Sequence, residues 1–189
     1  MLLQTTPIYQ APATFPATLA DGLSLQNPLS GLDLESRPYQ QRIIVKACEM
    51  FAGEHIGRTG QREPAAGSVM IESPTGSGKT VMGLAIARYL QAVYGYKVGW
   101  VAMRRNLLQQ AARENLERGF AIDMTTIWMF EKRPPQVDML VVDEAQHDAA
   151  MSMANLHCPV QPRVVLGLTA TPFRTDRVRL CFDKVIKDC

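Results

Sequence analysis

The chain contains no apolar run near the roughly 20 residues that a helix needs to cross a bilayer. It also lacks the basic start of a secretory signal, since its first Lys or Arg is Arg37. Both absences point to a cytoplasmic protein. Cysteine is sparse: Cys48, Cys158, Cys181 and Cys189 stand far apart, with no Cys-x-x-Cys pair and no Cys/His cluster. That pattern excludes a zinc ribbon or finger and fits free thiols in a reducing compartment. Strong charge of either sign is missing too, because 20 Lys and Arg oppose 18 Asp and Glu. A near-neutral total neither requires nor excludes a nucleic-acid partner, since a basic groove can hide within it.

What remains is the composition of a soluble globular domain, 47% hydrophobic and 20% charged, and 189 residues provide one substantial core. Residues 1–36 are expected to form an irregular, partly disordered leader, because Pro7, Pro12, Pro16 and Pro28 break any long helix. From Arg37 onward the pattern alternates. Helices are expected over 39–51, 79–94, 106–118 and 148–157. Strands are expected over 68–72, 97–103, 125–130, 137–142 and 163–168. Several of these strands are continuous apolar runs, which signals a mainly parallel sheet with helices on both faces. Ligands in such sheets bind at the carboxyl ends of the strands.

Two motifs fall at those ends. Gly76-Ser77-Gly78-Lys79-Thr80 follows the strand ending at Glu72 and opens a helix. Its glycines let the backbone curl with N–H groups inward, which makes an anion cradle at a helix N-terminus. Lys79 can reach outer phosphates, and the Thr80 hydroxyl can ligate magnesium. Ser73 stands where the strict phosphate-loop pattern has glycine. The second motif is Asp143-Glu144-Ala145-Gln146, delivered by the apolar strand Met139-Leu140-Val141-Val142. Asp143 is placed to hold magnesium, and Glu144 to deprotonate an attacking water. Either motif alone has a duller reading, as a Gly-rich turn or as an acidic helix cap.

Together these residues resemble the superfamily 2 DEAD/DEAH-box-like helicases, whose motif I is similar to Ser73–Thr80 and whose motif II is similar to Asp143–Gln146, with His147 following. Three more stretches agree. Arg37-Pro38-Tyr39-Gln40 resembles the adenine-recognising segment. Val101–Gln110 resembles motif Ia, with Met103 where His is frequent. Gly167–Asp176 resembles motif III and its flank. The wording Thr169-Ala170-Thr171-Pro172, followed by Phe173-Arg174-Thr175-Asp176, is closest to the branch containing type III restriction subunits.

The resemblance implies a RecA-like P-loop NTPase domain over residues 37–189, the first of two that a motor needs. It implies ATP and Mg2+ as cofactors, with Arg37, Gln40, Pro74, Thr75, Gly76, Ser77, Gly78, Lys79 and Thr80 around the nucleotide. Thr80 and Asp143 would hold the metal, and Glu144 and Lys79 would act in catalysis. Gln146, His147, Thr169 and Thr171 would couple nucleotide state to domain closure. Arg104, Asn106 and Thr126 would contact a nucleic acid, DNA or RNA.

Duller alternatives stand beside these. Gln40 could be a helix-surface residue, Arg104 and Asn106 could merely begin a helix, and Thr126 could be a β-branched strand residue. Trp100 and Trp128 are read as packing rather than as base-stacking platforms. No second RecA-like domain and no arginine-finger segment is expected within these 189 residues. Hydrolysis by the chain alone is therefore expected to be poor. The rival reading is a stand-alone, non-catalytic nucleotide-binding or regulatory module that pairs with a partner protein.

Overall fold

A computed structural model describes residues 22–35, 37–147, 158–171 and 182–187. Six parallel strands form one sheet: β1 (Ser68–Glu72), β2 (Val98–Ala102), β3 (Met124–Trp128), β4 (Met139–Asp143), β5 (Val164–Thr169) and β6 (Lys184–Lys187). Their spatial order is β3-β2-β4-β5-β1-β6. The helices are α1 (Pro38–Ala52), α2 (Lys79–Tyr94) and α3 (Arg105–Glu117). Among the described residues, no helix is long and apolar enough to cross a membrane.

The local causes are visible in the sequence. Pro38 occupies the first turn of α1, where its missing N–H costs nothing, and Gly53 closes that helix in a left-handed conformation. Gln40 reaches back to accept the Arg37 N–H, the reciprocal half of a capping box. Gly95 ends α2 in the same left-handed way as Gly53 ends α1. Strands β2, β4 and β5 are buried along their whole length, as interior strands of a covered parallel sheet must be.

The main core lies between α1–α3 and one face of the sheet. Its largest buried members include Trp100, Tyr89, Ile44, Leu84 and Leu90. Gly83 on α2 makes room for the Trp100 ring, since a Cβ there would lie 2.9 Å from both Trp100 Cη2 and Leu168 Cδ1. A smaller cluster on the opposite face joins Met70, Val101, Leu140, Val142 and Val165 to Ala145 and to Val160 of a helical turn at 158–160. Within residues 22–35, Leu23 and Leu29 are buried in the main core, and Arg88 donates to the Ser30 carbonyl at 3.0 Å. The helix expected over 148–157 lies outside the described residues.

Strand β6 is the element that pattern reading misses. Its four residues, Lys-Val-Ile-Lys, are too short and too charged to register as apolar alternation. They form an edge strand, where lysines deter further pairing. Tertiary contacts fix it in place. Asp183 accepts N–H groups of Gly67 and Ser68 at 2.9 and 3.0 Å, and Lys184 pairs with Glu63 at 2.6 Å.

Candidate functional site

The carboxyl edge of the sheet gathers both opening motifs. A cleft of about 340 Å3 is lined by Thr75, Gly76, Gly78, Lys79 and Thr80 from the loop and by Asp143, Glu144 and Gln146 from the end of β4 and the turn after it. Leu107, Gln110, Glu114 and Arg118 of α3 and its C-terminal end form the far wall. A larger hollow of about 590 Å3 runs along the outer face of α3. It holds Asn106 but no loop or acidic-pair residue.

The loop owes its shape to glycine. Gly76 and Gly78 have φ of +81° and +83°, which a side chain resists. A Cβ on Gly78 would also collide with the Gln40 amide. Gln40 is buried and donates to the Ser77 carbonyl at 2.9 Å, and the Tyr39 hydroxyl donates to the same carbonyl at 2.7 Å. The start of α1 thus clamps the loop through one oxygen. Arg37 is exposed, with its guanidinium 3.4 Å from the Tyr39 hydroxyl. Gln40 is therefore no surface residue, and Tyr39 is a loop contact that the sequence segment contained but did not single out.

Lys79 is folded back into the loop. Its ammonium donates to the carbonyls of Ser73 and Pro74 at 3.0 and 2.9 Å. Burial lowers its pKa from the usual lysine value, while Asp143 and Glu144 oppose that shift. Asp143 is the last residue of β4 and almost fully buried. Burial pushes its carboxyl up to about 6; the Glu144 N–H, donated at 2.9 Å, pulls it down, and the Glu144 charge adds to the rise. Glu144 has φ of +52°, an uncommon left-handed conformation for a non-glycine residue.

Trp100 also bears on Asp143. It pairs in register with Val141, so Asp143 is its diagonal neighbour on the same face. The indole N–H makes no direct hydrogen bond, yet it lies near enough to favour the carboxylate. Trp100 is fully buried, as a packing residue should be.

Gln146 and Thr169 meet at 2.7 Å, joining the turn after β4 to the end of β5. Thr169 Oγ1 also accepts the Thr171 N–H at 3.1 Å and lies against the Thr171 carbonyl. One hydroxyl proton cannot serve two acceptors, so the contact closes fully when the Gln146 NH2 faces Thr169. His147 ends the same 3-10 turn. Residues Pro172–Asp176 of the third motif lie outside the described residues.

Arg104 and Asn106 are exposed beside the end of β2. Thr126 is also exposed but sits in the middle of β3, opposite Trp100, rather than at its end. The structure therefore brings the loop, the acidic pair and Gln146 into one cleft, with Thr169 buried behind Gln146. The three residues expected to touch nucleic acid lie toward the β2–β3 side of the sheet.

A parallel sheet with a phosphate-type loop after β1 and an acidic pair at the end of β4 is a RecA-like arrangement of the kind found in superfamily 2 helicases. The family described as type III restriction enzyme, res subunit, matches residues 33–132, just over half of the chain, and the chain belongs to it. No curated protein sequence matches. Among solved structures, the UvsW helicase of bacteriophage T4 aligns with TM-score 0.63 at 14% identity, over 82% of this chain and 61% of that one. The Pyrococcus furiosus Hef helicase domain aligns with TM-score 0.59 at 20% identity, over 81% and 38%. The type ISP restriction-modification enzyme LlaGI, solved as a nuclease-deletion mutant with a DNA substrate mimic, aligns with TM-score 0.58 at 17% identity, over 82% and 20%. The chain thus spans from a fifth to about three fifths of these relatives, and at such identities the likeness is one of fold.

Proposed function

We propose that this domain is the first, ATP-binding half of a motor that moves along a nucleic acid. One observation carries the reading: Lys79, Thr80, Asp143, Glu144 and Gln146 line a single cleft, and Gln146 joins it to the buried Thr169. Family membership and the helicase folds of the structural neighbours support it, as does the DNA mimic bound to LlaGI.

The residues suggest a division of labour. Backbone N–H groups from Gly76 to Thr80 and the start of α2 suit the phosphates of ATP. Lys79 would exchange its two carbonyl partners for phosphate oxygens, at low cost because it is already partly desolvated. The Thr80 hydroxyl and Asp143 carboxylate are the donors for Mg2+, which would neutralise developing phosphate charge. Glu144 would orient the attacking water and take its proton. Gln40 and Arg37 would read the adenine edge, Gln40 by exchanging its amide contacts with the Arg37 N–H and the Ser77 carbonyl for the base. A shift at Glu144 would reach Gln146 two residues on, then Thr169 and Thr171.

A second RecA-like domain would close the other side of the cleft. Arginine fingers are worth about a thousandfold or more in rate, so this half alone would turn over slowly. Arg104, Asn106 and Thr126 would face a strand gripped mainly by its backbone.

The test is ATP turnover by a longer natural chain carrying both domains, with and without single-stranded DNA or RNA. Stimulation by either, and its loss in Glu144→Gln with nucleotide binding retained, is the expected result. Turnover indifferent to nucleic acid and to Glu144→Gln sinks the reading.

A further inference from the structure

The carboxyl end of edge strand β3 carries aromatic surface that the nucleotide site does not use. Phe130 is 49% exposed and Met103, at the end of β2, is 39% exposed. They are two of the four large hydrophobic residues exposed among those described, and a contiguous exposed apolar patch marks a binding surface more often than a scattered residue does. Between them lies Trp128, whose indole N–H donates to the Met103 carbonyl at 3.0 Å. Phe130 meets the Trp128 ring edge-on, with centroids 5.2 Å apart. The Arg105 guanidinium lies 4.6 Å over the Trp128 ring. Trp128 is thus held on three sides, and the half-exposed Phe130 ring rests against it.

The charge around this ledge is mostly positive. Arg104 flanks it from the β2 end, and Lys132 and Arg133 follow it in the chain; all three are exposed. The nearby acid, Glu131, is turned onto the N–H groups of Lys132 and Arg133. A rigid exposed ring set among cations suits an unpaired nucleobase with its phosphates on either side. Four strand spacings of about 4.8 Å separate β3 from β1, so the ledge lies about 19 Å from the phosphate-loop strand.

We infer that Phe130, propped by Trp128 and Arg105, is a stacking platform for one base of a single-stranded nucleic acid, whose phosphates run over Arg104, Lys132 and Arg133. This rests on the nucleic-acid reading above and adds a base contact to a grip otherwise made through the backbone.

The experiment measures binding of the chain to a 20-residue oligothymidylate, an oligouridylate and an abasic strand of equal length, by fluorescence anisotropy at low salt. The intact protein should favour the base-bearing strands over the abasic one by about tenfold or more. Phe130→Ala should abolish that preference without weakening the abasic complex, and Phe130→Tyr should restore it. Lys132→Ala should weaken all three complexes alike. If Phe130→Ala keeps the preference, or if Phe130→Tyr fails to restore it, the platform is refuted while the nucleic-acid reading stands. If the intact chain binds none of the strands, both fail.

Discussion

Replacing Asp143 by Asn should make the nucleotide-free protein more stable. Asp143 is buried at the end of β4, and burial raises its pKa from 3.8 to about 6. A folded-state pKa above the unfolded value means that stability is fully present below the unfolded pKa and is lost as pH rises through the folded one. The ionised carboxylate therefore costs the fold about 3 kcal/mol at neutral pH, from about 2 pK units at 1.36 kcal/mol each. Asn carries no charge to desolvate, and its Oδ1 can still accept the Glu144 N–H. That figure is already net of the attraction to Lys79, and the weaker acceptor that an amide offers the Glu144 N–H leaves a gain of about 1–3 kcal/mol. With a urea m-value of about 2 kcal/mol/M, the unfolding midpoint should rise by about 0.5–1.5 M at pH 7.5. At pH 4.5, below the folded pKa, the gain should shrink to about a third. Urea titrations followed by circular dichroism at the two pH values check both numbers. A variant no more stable than the parent at pH 7.5, or equally stabilised at pH 4.5, refutes the argument. The same substitution should remove the extra thermal stabilisation that Mg2+ adds to ATP, which identifies the buried charge as a cost of function.

Gly78→Ala should destabilise the fold by about 2 kcal/mol, because the residue has φ of +83° and its Cβ would meet the Gln40 amide; chemical denaturation reads the loss. Tyr39→Phe removes one of two donors to the Ser77 carbonyl and should cost about 1 kcal/mol, with weaker ATP binding by calorimetry and an unchanged circular dichroism spectrum. A double-mutant cycle on Gln146→Ala and Thr169→Val should show a coupling of about 0.5–1.5 kcal/mol in urea unfolding, and additive effects would mean that the contact carries no energy.

Much of the fold was legible because its signals are local. Expected and observed bounds of β1 and α2 coincide, since a compact apolar strand and a glycine-delimited helix announce themselves. The other described elements shift by one or two residues at their ends, where propensity is weakest. Strand β6 stayed hidden because its stability comes from Asp183, Lys184 and the edge of β1, more than a hundred residues away for Asp183 and Gly67. The candidate site was legible as motifs. Its geometry was not: nothing in a linear reading shows Tyr39 and Gln40 sharing the Ser77 carbonyl, or Trp100 lying diagonal to Asp143. Trp128 packs as its strand position suggests, anchored to Met103 and Arg105, whereas the exposure of Phe130 beside it follows from the edge position of β3 and from no feature of its own segment.

Residue types alone therefore determined the class of chemistry. A glycine-curled loop ending in Lys-Thr and an acidic pair after an apolar strand require backbone freedom, a cation and carboxylates in a set order, and all of these are written in one dimension. Tertiary structure decided how those groups are tuned. The strand order β3-β2-β4-β5-β1-β6 places β4 and β1 two positions apart, so Asp143 and Lys79 share a cleft and Asp143 loses its water. Burial, shared hydrogen-bond acceptors and charge proximity depend on which strands are neighbours, a property of the packed sheet that no single segment carries.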